Sequence, residues 1–308
     1  MRNKDGERFM ERYDPEKMEL STRDVVARAI YTEAKEGRGT EHGGAYLDIS
    51  HKPADYVKKK LPSMYHQFRE LADVDITKGP MEVGPTCHYM MGGIRVEAET
   101  AQSNVPGLFA AGEAAAGLHG SNRLGGNSLS DLLVFGKRAG FAAAEQANTV
   151  GAGQIDGAQI EEAAREMLAP FERTEGESPY QLHRELQEKM HNLVGIFRSE
   201  EDLEQGLSEV RQLKQRAENM RVEGSRLFNP GWHLARDMKA MLTVSEAVTL
   251  SALARRESRG AHSRIDYPKY DETWGKQNNI ISRDGDEMRL SQSPTSEMPA
   301  ELKEILSE

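Results

Sequence analysis

The sequence predicts a mixed α+β and α/β fold that gives way to a bundle of helices and ends in an irregular tail. Three observations carry this. Up to residue 150, helical and strand-like segments alternate between glycine-containing turns. A short apolar run at 108–111 is closed by Gly112-Glu113 and followed, from Asn127, by a helix of small residues. Beyond residue 157, apolar residues recur at helical spacing in two stripes.

In chain order, residues 24–36 read as a helix ended by Gly37-Arg38-Gly39. Residues 46–49 are strand-like, and two short helices follow at 54–60 and 62–71. Residues 80–96 form an extended, turn-rich path. Residues 108–111 read as a short buried strand. The helix from Asn127 carries Leu129, Leu132, Leu133, Gly136, Ala139, Gly140 and Ala143 at helical spacing, which suggests packing against a sheet. Residues 150–157 are a glycine-rich linker; their glycines follow no strand and have the wrong spacing for a dinucleotide loop. Leu182, Leu186, Met190, Leu193 and Phe197 form one stripe, and Leu203, Leu207, Val210 and Leu213 another. A further helix is expected over 234–257. The last fifty residues are charged and are expected to wrap the surface irregularly.

Composition excludes several classes. No run of about 18 apolar residues exists, so no membrane-spanning helix is expected. A net charge of −10 argues against nucleic acid as a partner. The single cysteine, Cys87, rules out an internal disulfide and fits a reducing compartment. Met1 opens directly into a charged stretch, so no signal peptide is expected. No His/Cys/Asp/Glu cluster has metal-ligand spacing.

Residues 119–140, HGSNRLGGNSLSDLLVFGKRAG, are the most informative stretch. Paired glycines let a backbone approach a ligand closely. A helix starting near Asn127 or Ser128 points unpaired N–H groups and the positive dipole end at whatever lies there. Arg123 just upstream can clamp a carboxylate through two parallel hydrogen bonds; the plainer reading is a capping loop with a solvated arginine. Glu113, at a strand end, can accept ribose hydroxyls, or be an ordinary surface acid. His88, ahead of Gly92-Gly93, can present an imidazole to a pocket, or be a satisfied structural histidine. Neighbours in an extended chain face opposite ways, so Cys87 and His88 do not pair as a nucleophile. Arg23 opens a helix where a cation is poorly placed, which hints at another role; pairing with Glu19 is the alternative.

These residues together resemble the flavoprotein subunit of succinate dehydrogenase and fumarate reductase. The resemblance rests on NKDGERFMERY at 3–13, TRDVVARAI at 22–30, EGRG at 36–39, PTCHYMMGGI at 85–94, PGLFAAGE at 106–113, the 119–140 stretch and ESRGAH at 257–262. It implies FAD as cofactor and a succinate or fumarate substrate. Arg23 matches the arginine assigned to proton transfer, His88 and Arg123 the pair gripping the dicarboxylate, and Glu113 the acid on the FAD ribose. Ser128 and Leu129 match residues whose backbone meets the isoalloxazine ring. The implied organisation is part of a capping domain at 1–100, the C-terminal piece of an FAD-binding Rossmann-like domain at 101–150, a helical domain at 151–255 and a tail at 256–308. The implied partners are the iron–sulfur subunit of a respiratory complex together with its membrane anchor subunits, with the chain peripheral on the cytoplasmic side of the inner membrane. The family's diphosphate loop, its commonly flavin-bonded histidine, and a His and Thr-Glu pair of the substrate site have no match here. The chain is therefore expected to be a C-terminal half, incomplete by itself. L-Aspartate oxidase is the rival enzyme; a non-catalytic fragment binding a partner chain is the other alternative.

Overall fold

The computed structural model describes residues 1–151 and 153–305; Ala152, inside the predicted linker, and residues 306–308 lie outside the described residues. The chain divides into two units, Met1–Gly93 and Ile94–Glu308.

In the first unit, α1 (Met10–Tyr13), α2 (Arg23–Lys35), β1 (Ala45–Leu47), α3 (Ala54–Lys60), α4 (Pro62–Leu71) and β2 (Met81–Val83) follow in order. β1 and β2 pair antiparallel with Tyr46 opposite Glu82. α2 stops where Gly37 turns left-handed at φ 77°, a conformation costly for any residue with a Cβ. Phe9, Met10, Ala29, Ile30 and Ala45 make one small core, and Val57, Ile76 and Met81 another. Glu33 of α2 is fully buried. A carboxylate there is tolerable only if every lone pair is used. Arg38 donates two hydrogen bonds of 2.8 Å, Asn3 one of 3.0 Å and the Tyr13 hydroxyl one of 2.7 Å. The Arg38 bonds are the largest influence and, against burial, hold the Glu33 carboxyl down at about 2.

The second unit begins with irregular chain. Residues 108–111 were expected to be a buried strand, and the structure corrects this. Phe109 makes one isolated antiparallel bridge to Gln102, and Leu108 is 42% exposed. Ile94 makes a parallel bridge to Ala115. The unit continues with α5 (Asn127–Thr149), α6 (Gly157–Glu172), α7 (Pro179–Leu193), α8 (Glu200–Ala217), α9 (Pro230–Ala254), β3 (Gln277–Asp284), β4 (Glu287–Pro294) and α10 (Ala300–Ile305).

α7, α8 and α9 form the main core. Both predicted stripes turn inward, with Leu182, Leu186, Val210 and Leu213 meeting Ala235, Met238 and Leu242 of α9. Gly206 allows close approach, since a Cβ there would lie 3.0 Å from Val194 Cγ2. Side-chain caps set the helix starts: Ser199 accepts from Asp202 N–H and Asn229 from Trp232 N–H. α9 starts earlier than the apolar spacing predicts because Asn229 caps it and Pro230 fits its first position.

The tail is the second correction, because β3 and β4 form an antiparallel hairpin pairing Gln277 with Pro294 through to Asp284 with Glu287. Arg264, 1% exposed, joins the tail to α9. Its guanidinium donates to the carbonyls of Ala252 and Leu253, both at 3.1 Å, and to both Asp266 carboxylate oxygens. The last carbonyls of a helix lack partners within it, and a cation suits that end. His262 beside it accepts from Arg198 at Nδ1, 2.8 Å, and approaches the Arg255 carbonyl with Nε2, 3.1 Å. Burial first, then the nearby Arg198, Arg264 and Arg255, push its pKa down to about 4.

Leu242→Ala removes a fully buried side chain from the helical core. It is expected to lower unfolding free energy by about 2–5 kcal/mol, read from urea denaturation. The depressed His262 pKa means that the unfolded chain binds this proton more readily than the folded one. Its share of stability is therefore present above the ordinary histidine range and is lost as pH falls from about 6.5 towards 4. Melting temperatures followed over that window should fall more steeply for the natural chain than for His262→Gln.

Candidate active site

The residues singled out in the sequence divide between the units. Arg23 and His88 lie in the first; Glu113, Arg123, Ser128 and Leu129 lie in the second.

Arg23 is the first residue of α2 and is exposed. Its alternative partner, Glu19, is engaged by Arg8 at 2.9 and 2.5 Å and by the terminal amine at 2.9 Å. Asp24, the next residue, accepts from Arg28 at 2.6 Å. Burial opposes the charge on Asp24, yet bonds from Thr22 and Arg28 outweigh it and leave the carboxyl below its usual range. His88 is exposed on the irregular chain that follows β2.

In the second unit, Glu113 stands on a single 3-10 turn, Gly112–Ala114, with its side chain exposed. Two bonds of the 94–115 bridge fix that turn: Ile94 N–H to the Ala114 carbonyl at 2.8 Å, and Ala116 N–H to the Ile94 carbonyl at 2.9 Å. Gly112 has φ 68°, and a Cβ on it would lie 2.5 Å from Leu132 Cδ2. The left-handed φ is what favours glycine here, since the exposed end of Leu132 could shift away from a Cβ.

α5 starts from Gly126, which is left-handed at φ 80° and provides no side-chain cap. A Cβ at Gly125 or Gly126 would meet no atom within 4 Å. Arg123 is half-buried, with Nη1 donating to the Leu124 carbonyl at 3.1 Å. Ser128 is half-buried and Leu129 is 66% exposed. The result is a set of groups at a positive dipole end, an arginine and an apolar side chain beside a first turn whose Asn127 and Leu129 N–H groups donate to the Leu124 and Gly126 carbonyls at 3.2 Å. Such a set suits a planar, electron-rich group with a carboxylate beside it.

The small residues of α5 were expected to pack against a sheet. Instead, Asp131 is the one buried residue of this 23-residue helix among those described. Leu132, Leu133, Val134 and Phe141 are 53, 76, 49 and 67% exposed.

Two features escaped the sequence reading. His119 Nε2 lies 3.3 Å from Asp131 Oδ2, with both side chains nearly buried. Ala261 N–H donates to the Ser121 carbonyl at 3.1 Å. The first had a legible signal, an Asp inside an otherwise apolar helix face, with a histidine on the near side of the glycine pair. The second had none, since it joins residues far apart in sequence.

No group of three or more His, Cys, Asp or Glu side chains among the described residues is placed to hold a metal ion. No helix of the described residues is long and apolar enough to cross a membrane.

The chain is similar to known proteins in sequence and fold. The FAD binding domain family matches residues 1–129, and the fumarate reductase flavoprotein C-terminal family matches residues 183–305. The chain is 39% identical over 297 residues to the succinate dehydrogenase flavoprotein subunit of Coxiella burnetii, covering 92% of this chain and 51% of that protein. Among solved structures it is similar to Mycobacterium smegmatis Sdh1 in complex with UQ1, with TM-score 0.82 and 52% identity over 97% of this chain and 50% of that one. It is also similar to FrdA of E. coli quinol fumarate reductase, with TM-score 0.87 and 32% identity over 97% of this chain and 55% of that one. The chain thus spans about half the length of the curated relatives it matches. With FAD as the family's cofactor, the chain belongs to the flavoprotein subunits of succinate dehydrogenase and fumarate reductase.

Proposed function

We propose that the chain forms the C-terminal part of an enzyme interconverting succinate and fumarate. The observation that carries this is the start of α5, where Arg123, the bare glycine pair and an uncapped helix terminus follow one another in a chain of this family.

The residues present fit part of an FAD site. The N–H group at Ser128 and the exposed apolar side chain of Leu129 suit the edge and face of a flavin ring, and the exposed Glu113 suits ribose hydroxyls. Bound FAD supplies the two-electron exchange with the substrate's carbon–carbon bond. This chain's own part is to hold the dicarboxylate and handle its proton. Arg123 offers a planar fork to one carboxylate, and His88 a second donor. Positive groups there stabilise charge that develops on a carboxylate conjugated to the reacting carbons. Arg23 holds the proton for the substrate carbon; an arginine resists deprotonation, so it works through a relay of nearby acids.

We assign residues 1–100 to a capping domain, 101–150 to the FAD-binding domain, 151–255 to a helical domain and 256–308 to a tail. The proposed partners are an iron–sulfur subunit, which takes the electrons on towards quinone, and membrane anchor subunits. These hold the chain peripherally at the cytoplasmic side of the inner membrane.

The test is purification of the protein with its accompanying chains and assay of the flavin-loaded preparation. Succinate oxidation with a dye acceptor and fumarate reduction with a reduced viologen are expected. Turnover of L-aspartate instead, or of neither dicarboxylate, would overturn the reading. In the active preparation, Arg23→Lys keeps charge but loses the fork, and kcat should fall by about 10²–10⁴-fold with little change in dicarboxylate binding. Arg123→Ala should also weaken binding, by about 3–5 kcal/mol, because a carboxylate is left unpaired. Steady-state kcat and KM separate the two.

A further inference from the structure

We propose that His119 and Asp131 are positioning residues for Arg123, forming a buried imidazole–carboxylate clamp that closes the loop between them. The inference rests on the reading of Arg123 as the dicarboxylate-binding residue.

The clamp spans the loop. His119 precedes Arg123, and Asp131 follows the glycine pair inside α5. Their Nε2 and Oδ2 atoms are 3.3 Å apart, and the side chains are 5% and 4% exposed. The chain between them is soft. Gly120 and Gly126 are both left-handed, at φ 57° and 80°, and Gly125 lies between the two. Glycine has the most backbone freedom to lose on ordering. Pinning the ends of such a segment narrows the positions open to the arginine it carries.

Two pins exist. The first is the His119–Asp131 pair. The second is the Ser121 carbonyl, which accepts from Ala261 N–H at 3.1 Å. Gly260, at φ 57°, lies so close that a Cβ on it would meet the Ser121 carbonyl oxygen at 2.5 Å. Arg123 is carried by the short stretch between these pins and the start of α5.

Helix formation alone does not account for Asp131. It lies beyond the first turn of α5, where a carboxylate no longer gains from the dipole. It is the buried residue of a helix whose leucines are exposed. An acid in that place costs desolvation that an aliphatic side chain would avoid. A partnered acid instead gives what an aliphatic contact cannot, a directional bond to one imidazole nitrogen. Directional support of this kind holds a binding residue within the narrow tolerance that substrate alignment requires.

The test uses the enzyme in its active, assembled form. In His119→Ala, amide hydrogen exchange of residues 120–127 should speed up by about tenfold, while exchange in α7, α8 and α9 stays unchanged. KM for succinate should rise by about tenfold or more, and kcat at saturation should fall by less than about threefold. His119→Gln keeps an N–H donor of similar reach and should recover most of both losses. Asp131→Asn keeps the side-chain volume and should lie between. Because the Gln and Asn variants preserve shape, the comparison stands even if the alanine variant folds poorly. Unchanged exchange at 120–127 would overturn the clamp. So would an unchanged KM in an enzyme that turns over succinate, or a fall in kcat alone. If the natural enzyme turned over no dicarboxylate, the functional reading would fail, and the exchange measurement would still decide the clamp.

Discussion

The second unit is organised around one buried cation. Arg264 gives its guanidinium to the last carbonyls of α9 and to Asp266, and so converts the loose end of a helix into a junction. The turn through 257–262 is built on that junction. Glu257, fully buried, is flanked by Arg255 at 2.5 Å and Arg259 at 2.8 Å. Gly260 and Ala261 at the tip of this turn meet Ser121. The end of the helical core is thereby connected, through hydrogen bonds rather than apolar contact, to the loop that carries Arg123. Such a connection is brittle. Removing one member of a buried charged network leaves the others unpaired, which costs more than the pair itself contributes.

The helical core was legible because a 3.6-residue period states both the element and its buried face. Leu182, Leu186, Val210 and Leu213 needed no other information. Short helices at 54–60 and 62–71 were legible for a related reason: Pro62 cannot continue α3 but suits the first turn of α4. The hairpin was not read, though Gly285-Asp286, the two residues between Asp284 and Glu287, is a glycine-led two-residue turn signal and Gly285 takes φ 63°. Its strands carry Asn, Ser, Arg and Gln between few apolar residues, so the period-2 alternation is weak. What holds β3 in place is a pair of side-chain bonds, Asn279 to the Ser251 carbonyl and Arg255 to the Gln277 carbonyl, and neither leaves a local trace.

α5 shows the other limit. Its span was readable from the sequence. Its packing was not, because an apolar stripe tells which face seeks cover and says nothing about what covers it. The same holds for residues 108–111. A short apolar run reads as a strand, but strand pairing is a property of neighbours. Among the described residues, Gln102 is the single bridge partner that Phe109 finds.

Of the proposed site, the sequence singles out candidate residues but not the contacts that support them. Arg23 shows why support decides chemistry. A guanidinium acts as a proton donor only when an acceptor of matched affinity relays the charge. Asp24 is adjacent in sequence and is the obvious choice. The structure argues against it, because Arg28 and Thr22 hold its carboxyl below the usual range. A carboxylate stabilised in its charged form is a weak base, so a relay through Asp24 would run uphill. Asp24 serves α2 instead, opposing the positive end of the helix dipole that Arg23 aggravates. The relay proposed for Arg23 therefore calls for an acid with no such partner, one whose charge is left to respond to the substrate.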